Sequence, residues 1–173
     1  YSYQGQTLGA TLKHLGLWRI TLFGALFLGA GNDLICPSAE GFDVSQGDAN
    51  YITKFRPVGA YDAVCSSHCL EHMFNAVDAL TEWWALVKPG GYLLLTVPDE
   101  DLYEQGFFPS RFNPDHKATF RFRTPQSWSP VSHELESMVS SLPGARIVAA
   151  EVQSDNYDYS LQFKFGDRVG SSK

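Results

Sequence analysis

The sequence predicts an α/β fold with a mostly parallel β-sheet, and three observations between Tyr61 and Asp99 support this prediction. The apolar run at 60–65 is short and ends in polar residues, as a buried parallel strand does at its carboxyl end. Over 75–87, apolar residues recur at helical spacing, and the sequence KPGG at 88–91 predicts the end of that helix. Residues 92–97 are apolar again and predict a second buried strand.

The remaining elements are predicted from the same periodicities. In chain order they are a helix over 7–18, strands over 22–28 and 41–44, a helix over 131–142, and two strands over 146–152 and 157–165. Only about ten residues separate the first two strands, too few for an ordinary crossover helix, so the early helix is trimmed to a turn.

Composition and charge limit the classes of function. A chain of 173 residues that is 44% hydrophobic predicts a single domain, residues 1–173, with a substantial core. The net charge of −6 disfavours a nucleic-acid partner, because binding to a phosphate backbone needs clustered Lys and Arg. Residues 15–30 carry a charge and three glycines, and are too short an apolar stretch for a membrane span.

The cysteines and the amino terminus predict a cytoplasmic protein that is not bound to a membrane. Three cysteines make no disulfide framework, and no signal peptide is visible. The oligomeric state is left open by the sequence, a homo-oligomer included.

The segment 100–130 is irregular and rich in aromatic residues, proline, arginine and histidine. Connections of this length in compact domains are usually lids or binding loops. The segment is therefore predicted to bind a ligand, although its aromatic side chains would serve equally to anchor it to the core.

Two blocks of residues resemble a known family. Asp62, Val64, Ser66, Leu70, Glu71 and His72 precede the predicted helix, and Val87-Lys88-Pro89-Gly90-Gly91 and Val97-Pro98 follow it. In this order they resemble the D-x-V-x-S-x-x-x-L-E-H block and the L-K-P-G-G-x-L-x-L-x-V-P segment of class I S-adenosylmethionine-dependent methyltransferases of the small-molecule type.

The resemblance implies a Rossmann-like, mostly parallel sheet of about seven strands with a C-terminal antiparallel hairpin. The implied activity is transfer of a methyl group to an oxygen or nitrogen of a small-molecule or sugar-type acceptor, which the segment 100–130 would bind.

The resemblance also implies how the cofactor, S-adenosyl-L-methionine, is held. The glycine loop at 27–33 would cradle its methionine part, Asp43 would accept hydrogen bonds from the ribose hydroxyls, and Asp48 with Ala49 would meet the adenine. Ser66, Ser67 and His68 would line its methyl end. The implied cofactor-binding residues are Gly29, Ala30, Gly31, Asp43, Asp48, Ala49, Ser66, Ser67 and His68.

Two positions in the glycine loop depart from the family pattern. Phe27 stands where the family has an acid, and Asp33 where it has a third glycine. These departures leave a second function open, a non-catalytic methyltransferase-like domain with a degenerate cofactor pocket. Alternatively, the two glycines only form a tight turn, and Asp43 and Asp48 only stabilise turns through their side chains. An NAD-dependent oxidoreductase is disfavoured, since it requires the missing glycine and an acid ~20 residues further on.

Three histidines, His116, His68 and His72, are candidates for the base that takes the acceptor's proton, because a free imidazole titrates near ~6.5. His116 with the adjacent Asp115 is the preferred pair on the acceptor side.

The sequence from His68 to His72 allows other interpretations. H-x-x-E-H is the inverted zinc-protease signature, and it also resembles the E-x-x-E-H metal site of ubiquinone-type and small-RNA 2′-O-methyltransferases. The favoured interpretation is structural, with no metal assigned: Glu71 and His72 cap the following helix and brace the glycine loop.

Overall fold

A computed structural model describes residues 24–31, 34, 38–155 and 157–159. The predicted helix over 7–18 and the start of the first strand lie outside the described residues. The described residues up to Val97 form one compact unit, and those from Pro98 onwards form a second. The single domain predicted over residues 1–173 remains a prediction.

The first unit contains a four-stranded parallel sheet. Its elements in chain order are β1 (Ala25–Leu28), β2 (Glu40–Phe42), a 3₁₀ helix (Ala49–Lys54), β3 (Tyr61–Ser67), a second 3₁₀ helix (Leu70–His72), α1 (Ala76–Ala85) and β4 (Val87–Thr96). The strand order is β2-β1-β3-β4, and each neighbouring pair is parallel. The predicted parallel sheet is confirmed.

The two central strands are buried because their residues are apolar on both faces, as expected of a parallel sheet covered on both sides. All four residues of β1 are buried, as are Ala63, Val64 and Cys65 in β3. Helix α1 buries Leu80 and Trp83, and the Trp83 indole Nε1 donates a hydrogen bond to the Ala49 carbonyl at 2.8 Å. The strand, helix and strand predicted over 60–97 are therefore present. The prediction that the second strand is buried is wrong, because β4 lies at the edge of the described sheet and is mostly half-buried.

The sequence KPGG at 88–91 does not end the helix. Helix α1 ends at Ala85 and is followed directly by β4, in which 88–91 form a bulge between the pairs Tyr61–Val87 and Ala63–Tyr92. A Cβ at Gly91 would lie 2.8 Å from the Asp62 carbonyl oxygen, so only glycine fits the bulge at this position.

Between β1 and β2, the described residues 29–31, 34, 38 and 39 lie in turns, bends or irregular backbone. The trimmed crossover helix remains a prediction. Among the described residues, each helix is too short or too polar to cross a bilayer.

The second unit begins with a short π-helix. It contains this helix (Glu100–Glu104), β5 (Thr119–Arg121), β6 (Ser132–Glu134) and α2 (Leu135–Ser140), and β5 pairs with β6 in parallel. The helix predicted over 131–142 thus starts as a strand and is helical only from Leu135.

The predicted closing hairpin is not observed in the described residues. Residues 146–152 are described and form no strand, and of 157–165 only 157–159 are described. The alternating pattern of 146–152 is left mostly exposed, since no described strand pairs with it. The described part of the chain has six strands, in sheets of four and two, rather than about seven.

Removing the N-cap of α1 should lower the free energy of unfolding. The Asn75 side-chain oxygen accepts hydrogen bonds from the backbone N–H groups of Val77 and Asp78. We expect Asn75→Ala to cost about 1 kcal/mol in urea unfolding, because both donors lose their partner. Asn75→Ser, which retains a capping oxygen, should cost less than half of that. Equal losses in the two variants would contradict the capping role.

Candidate functional site

The glycine loop leaves the carboxyl end of β1 and is held by β2. The Gly29 N–H donates to the Phe42 carbonyl at 2.9 Å, and the Gly31 N–H donates to Asp43 Oδ2 at 2.8 Å. Gly29 has a φ of 68°, and a Cβ there would lie 3.0 Å from the Cβ of Cys69. The loop can therefore pack against the segment after β3 only with glycine at position 29.

Asp43 braces this loop through both of its carboxylate oxygens. Besides the bond from Gly31 to Oδ2, Oδ1 accepts from the Val44 N–H at 2.6 Å. A carboxylate has about four acceptor positions, so two remain for donors such as ribose hydroxyls. The bracing of the glycine loop is a role that the sequence did not indicate for Asp43.

Asp48 is the N-cap of the first 3₁₀ helix. Its Oδ1 accepts from the Asn50 N–H at 2.9 Å and from the Asn50 side-chain amide at 2.7 Å. The N-cap interaction therefore uses one of the two carboxylate oxygens, Oδ1. The other, Oδ2, makes no hydrogen bond to a described residue and stays available for an adenine amino group.

The chain after β3 adopts an unusual backbone conformation. Ser66 is buried and Ser67 half-buried, and His68 has a φ of 52°, a left-handed conformation that is uncommon outside glycine. The His68 N–H donates to the Thr96 carbonyl at 3.0 Å, which holds this conformation at the edge of the sheet. Strained residues of this kind are concentrated at ligand-binding edges.

Two of the candidate histidines share one buried carboxylate. Glu71 Oε1 lies 3.5 Å from His68 Nδ1 and 4.0 Å from His72 Nε2. The N-cap of α1 is Asn75, so the interpretation of Glu71 and His72 as caps of that helix is wrong. Their prediction as structural rather than metal-binding residues remains a prediction.

Phe27 is a core residue, although the family pattern has an acid at this position. It is 7% exposed and belongs to an apolar cluster with Ala25, Ala63, Cys65 and Leu94, among others. Asp43, which follows β2, supplies a carboxylate that hydrogen-bonds to the glycine loop.

His116, in the second unit, is paired with Glu104. The distance from His116 Nδ1 to Glu104 Oε1 is 2.6 Å, and their side chains are 3% and 1% exposed. The Tyr103 ring stacks on the imidazole with a centroid separation of 5.1 Å. The carboxylate of Asp115, the partner considered from the sequence, accepts instead from Lys117 Nζ at 3.0 Å.

The π-helix that carries Glu104 is anchored through Glu100. The buried Glu100 carboxylate accepts hydrogen bonds from Thr119 Oγ1 at 2.9 Å and from Ser127 Oγ at 2.6 Å. These bonds tie the helix to β5 and to the following loop, and so hold Glu104 in place beside His116.

The residues at the carboxyl edge of the sheet fit S-adenosylmethionine. Gly31 allows a ligand to approach the backbone, since an added Cβ there would meet no described atom within 4 Å. Asp43 and Asp48 retain acceptor positions for hydroxyl and amino donors. Ligands of open parallel sheets bind outside this edge.

A family described as methyltransferase domain matches residues 25–141, and the chain belongs to this family. The match confirms the methyltransferase assignment made from the motifs, and S-adenosylmethionine is the cofactor that those motifs imply.

Among solved structures, the chain is similar to the crystal structure of trans-methyltransferase CalH in complex with SAH, with 16% identity and a TM-score of 0.37. The similarity covers 50% of this chain and 35% of that one, so the chain spans about a third of the length of that protein. No curated protein matches the chain.

Cys69, which packs against Gly29, should be chemically inert in the folded protein. Burial, with a smaller contribution from the negative charge of Glu71, raises the pKa of its thiol to about 12. At about pH 8 roughly one thiol in 10,000 is then ionised, and the thiolate is the reactive form.

We expect a Cys36→Ser chain to give no reaction with Ellman's reagent while folded, and both remaining thiols to react after denaturation. Cys65 is buried as well, and Cys36 lies outside the described residues. Rapid labelling of Cys69 in the folded chain would contradict this assignment and make it a candidate nucleophile.

Proposed function

We propose that the chain transfers the methyl group of S-adenosylmethionine to an oxygen or nitrogen of a small-molecule or sugar-type acceptor, with His116 as the base. The observation that carries this proposal is the buried hydrogen-bonded pair of Glu104 and His116, in a chain that belongs to a methyltransferase family.

The glycine loop and Asp43 would hold the cofactor. Asp43 fixes the loop conformation through Gly31 and keeps acceptor positions for the ribose, so a single side chain serves both purposes. Asp48, Ala49, Ser66, Ser67 and His68 are proposed as further contacts, with Asp48 Oδ2 as the acceptor for the adenine.

The sulfonium of the cofactor supplies an already activated methyl group, so the protein needs chiefly to position the acceptor and remove its proton. With Nδ1–H donated to Glu104, the lone pair of a neutral His116 ring is on Nε2. We propose that Nε2 takes the proton from the acceptor O–H or N–H while the acceptor atom bonds to the methyl carbon and the carbon–sulfur bond breaks. The resulting imidazolium is stabilised by the Glu104 carboxylate.

His68 and His72 are the other two candidate bases. Both rings lie near the buried Glu71 carboxylate, at 3.5 and 4.0 Å, whereas His116 is hydrogen-bonded to its carboxylate at 2.6 Å. The shorter contact gives His116 the better-defined orientation, which is why we assign the base to it rather than to His68 or His72.

Replacing Asp43 should weaken cofactor binding. We expect Asp43→Ala to raise the dissociation constant for S-adenosylhomocysteine about tenfold or more in calorimetric titration, since it removes charge-assisted hydrogen bonds and the brace on Gly31.

Asp62→Asn is the matched control for this experiment. Asp62 lies near the amino end of β3, opposite the proposed site, where it pairs with Lys88. Its replacement should leave the affinity within about twofold. Equal affinity in wild type and Asp43→Ala would remove the ribose assignment, and the absence of binding in the wild type would favour the degenerate domain.

Replacing either member of the buried pair should lower turnover and spare cofactor binding. In a screen of phenols, sugars and amines for release of S-adenosylhomocysteine, we expect His116→Gln to lower kcat about 100-fold or more. Glu104→Gln should lower it about tenfold or more, because the neutral amide holds the imidazole without stabilising its charged form.

Asp115→Asn provides the control for the carboxylate. Its side chain is exposed and pairs with Lys117, so we expect turnover within about twofold of the wild type. A loss in Asp115→Asn that matches the loss in Glu104→Gln would overturn the assignment of Glu104. Thermal melts followed by circular dichroism establish that each variant is folded.

A further inference from the structure

Three arginines in the described part of the chain lie over aromatic rings, with the guanidinium carbon less than 5 Å from the ring centroid. They are Arg56 over Phe42 at 4.9 Å, Arg111 over Phe107 at 3.4 Å and Arg123 over Phe122 at 4.7 Å. Two of these arginines have a carboxylate partner: Arg56 forms an ion pair with Glu40, and Arg123 donates twice to Glu136.

Arg111 is the exception. It makes no hydrogen bond or ion pair with any residue that the structure describes, and its Nε is buried without a hydrogen-bond partner. A half-buried cation with no counter-ion has lost part of its hydration without an ionic interaction to compensate. An anion that binds there would restore this compensation.

The stacking also gives Arg111 the geometry of an anion receptor. A guanidinium that lies flat on a ring directs its N–H groups outwards in one plane, where they match the two oxygens of a carboxylate or phosphate. Phe107 is 49% exposed, so the stacked pair is open to solvent on one side. Because the net charge of the chain is −6, an anion is not drawn to the protein in general and needs such a local cation.

A row of aromatic rings connects Arg111 to the proposed base. The Arg111 guanidinium carbon is 5.9 Å from the centroid of Phe112, which lies 5.8 Å from that of Tyr103 in an edge-to-face contact. Tyr103 in turn stacks on His116 at 5.1 Å. Arg111 and His116 thus belong to one packed group of side chains in the second unit.

We propose that Arg111 binds an anionic oxygen group, a carboxylate or a phosphate, of the acceptor whose proton His116 removes. This inference rests on the proposed function for the identity of the ligand as the acceptor. The acceptor class is thereby narrowed from small molecules in general to those that carry an acidic group.

The test uses the complete chain and two simple probes, inorganic phosphate and acetate. Each is titrated into the ¹⁵N-labelled protein at constant ionic strength, set with sodium chloride, and the arginine Nε–H and backbone amide N–H resonances are followed. We expect the Arg111 resonance, identified by its loss in Arg111→Gln, to shift saturably with at least one probe. The probe with the lower dissociation constant, phosphate or acetate, indicates whether the acceptor carries a phosphate or a carboxylate.

Arg146→Gln is the matched control, since Arg146 is exposed and has no ion pair with a described residue. We expect this variant to retain wild-type affinity for the probe, and Arg111→Lys, which keeps the charge but not the planar fork, to lose about tenfold. If Arg111→Gln is unfolded, the loss of the same resonance in Arg111→Lys identifies it. An Arg111 shift that never saturates would overturn the proposal, and so would a dissociation constant, obtained from the backbone amide shifts, that is the same in Arg111→Lys and wild type.

Titration with S-adenosylhomocysteine separates this inference from the proposed function. If the wild type binds S-adenosylhomocysteine but no probe binds at Arg111, the methyltransferase proposal stands and the anion site is rejected. If a probe binds at Arg111 but S-adenosylhomocysteine does not bind, the anion site stands and the enzymatic proposal fails.

Discussion

The parallel pairing of β1 with its neighbours β2 and β3 is the constraint on which the rest of the site depends. Leu28 lies opposite Phe42 on one side and Ser66 on the other. The residues that follow these three positions therefore emerge together at one edge. A slip of one residue would turn each side chain of β1 to the opposite face and would move these three positions out of line.

Because of this register, a few hydrogen bonds and close contacts are enough to hold the segments at the carboxyl edge of the sheet, where the cofactor is proposed to bind. Asp43 follows Phe42 directly, which brings its carboxylate within 2.8 Å of the Gly31 N–H. Gly29 likewise meets Cys69 because both follow strands that end at the same level. Asp43 therefore holds the described residues that follow β1, which form turns or irregular backbone rather than a helix or strand.

The second unit positions its polar groups by a different principle. Its described helices and strands are short, and buried polar side chains connect them. Glu100 joins the π-helix to β5 and the following loop, and Glu104 on the same helix holds His116. Both oxygens of the Glu100 carboxylate accept from hydroxyl groups, and Glu104 Oε1 is hydrogen-bonded to the His116 imidazole. Arg111 differs from these carboxylates, since no described residue offers it a counter-ion.

The sequence by itself determined the strand, helix and strand over 60–97, because apolar periodicity and turn residues act over neighbouring positions. The roles of the glycine loop and of Asp43 were implied by the family resemblance, and His116 was a candidate because its imidazole titrates near neutral pH. Only the tertiary structure decided that KPGG at 88–91 forms a bulge and that 146–152 form no strand, since both depend on which strand lies alongside. It also decided that His116 pairs with Glu104 and that Arg111 stacks on Phe107. Within an irregular segment no periodicity relates such residues, and their contacts arise from how the chain folds back on itself.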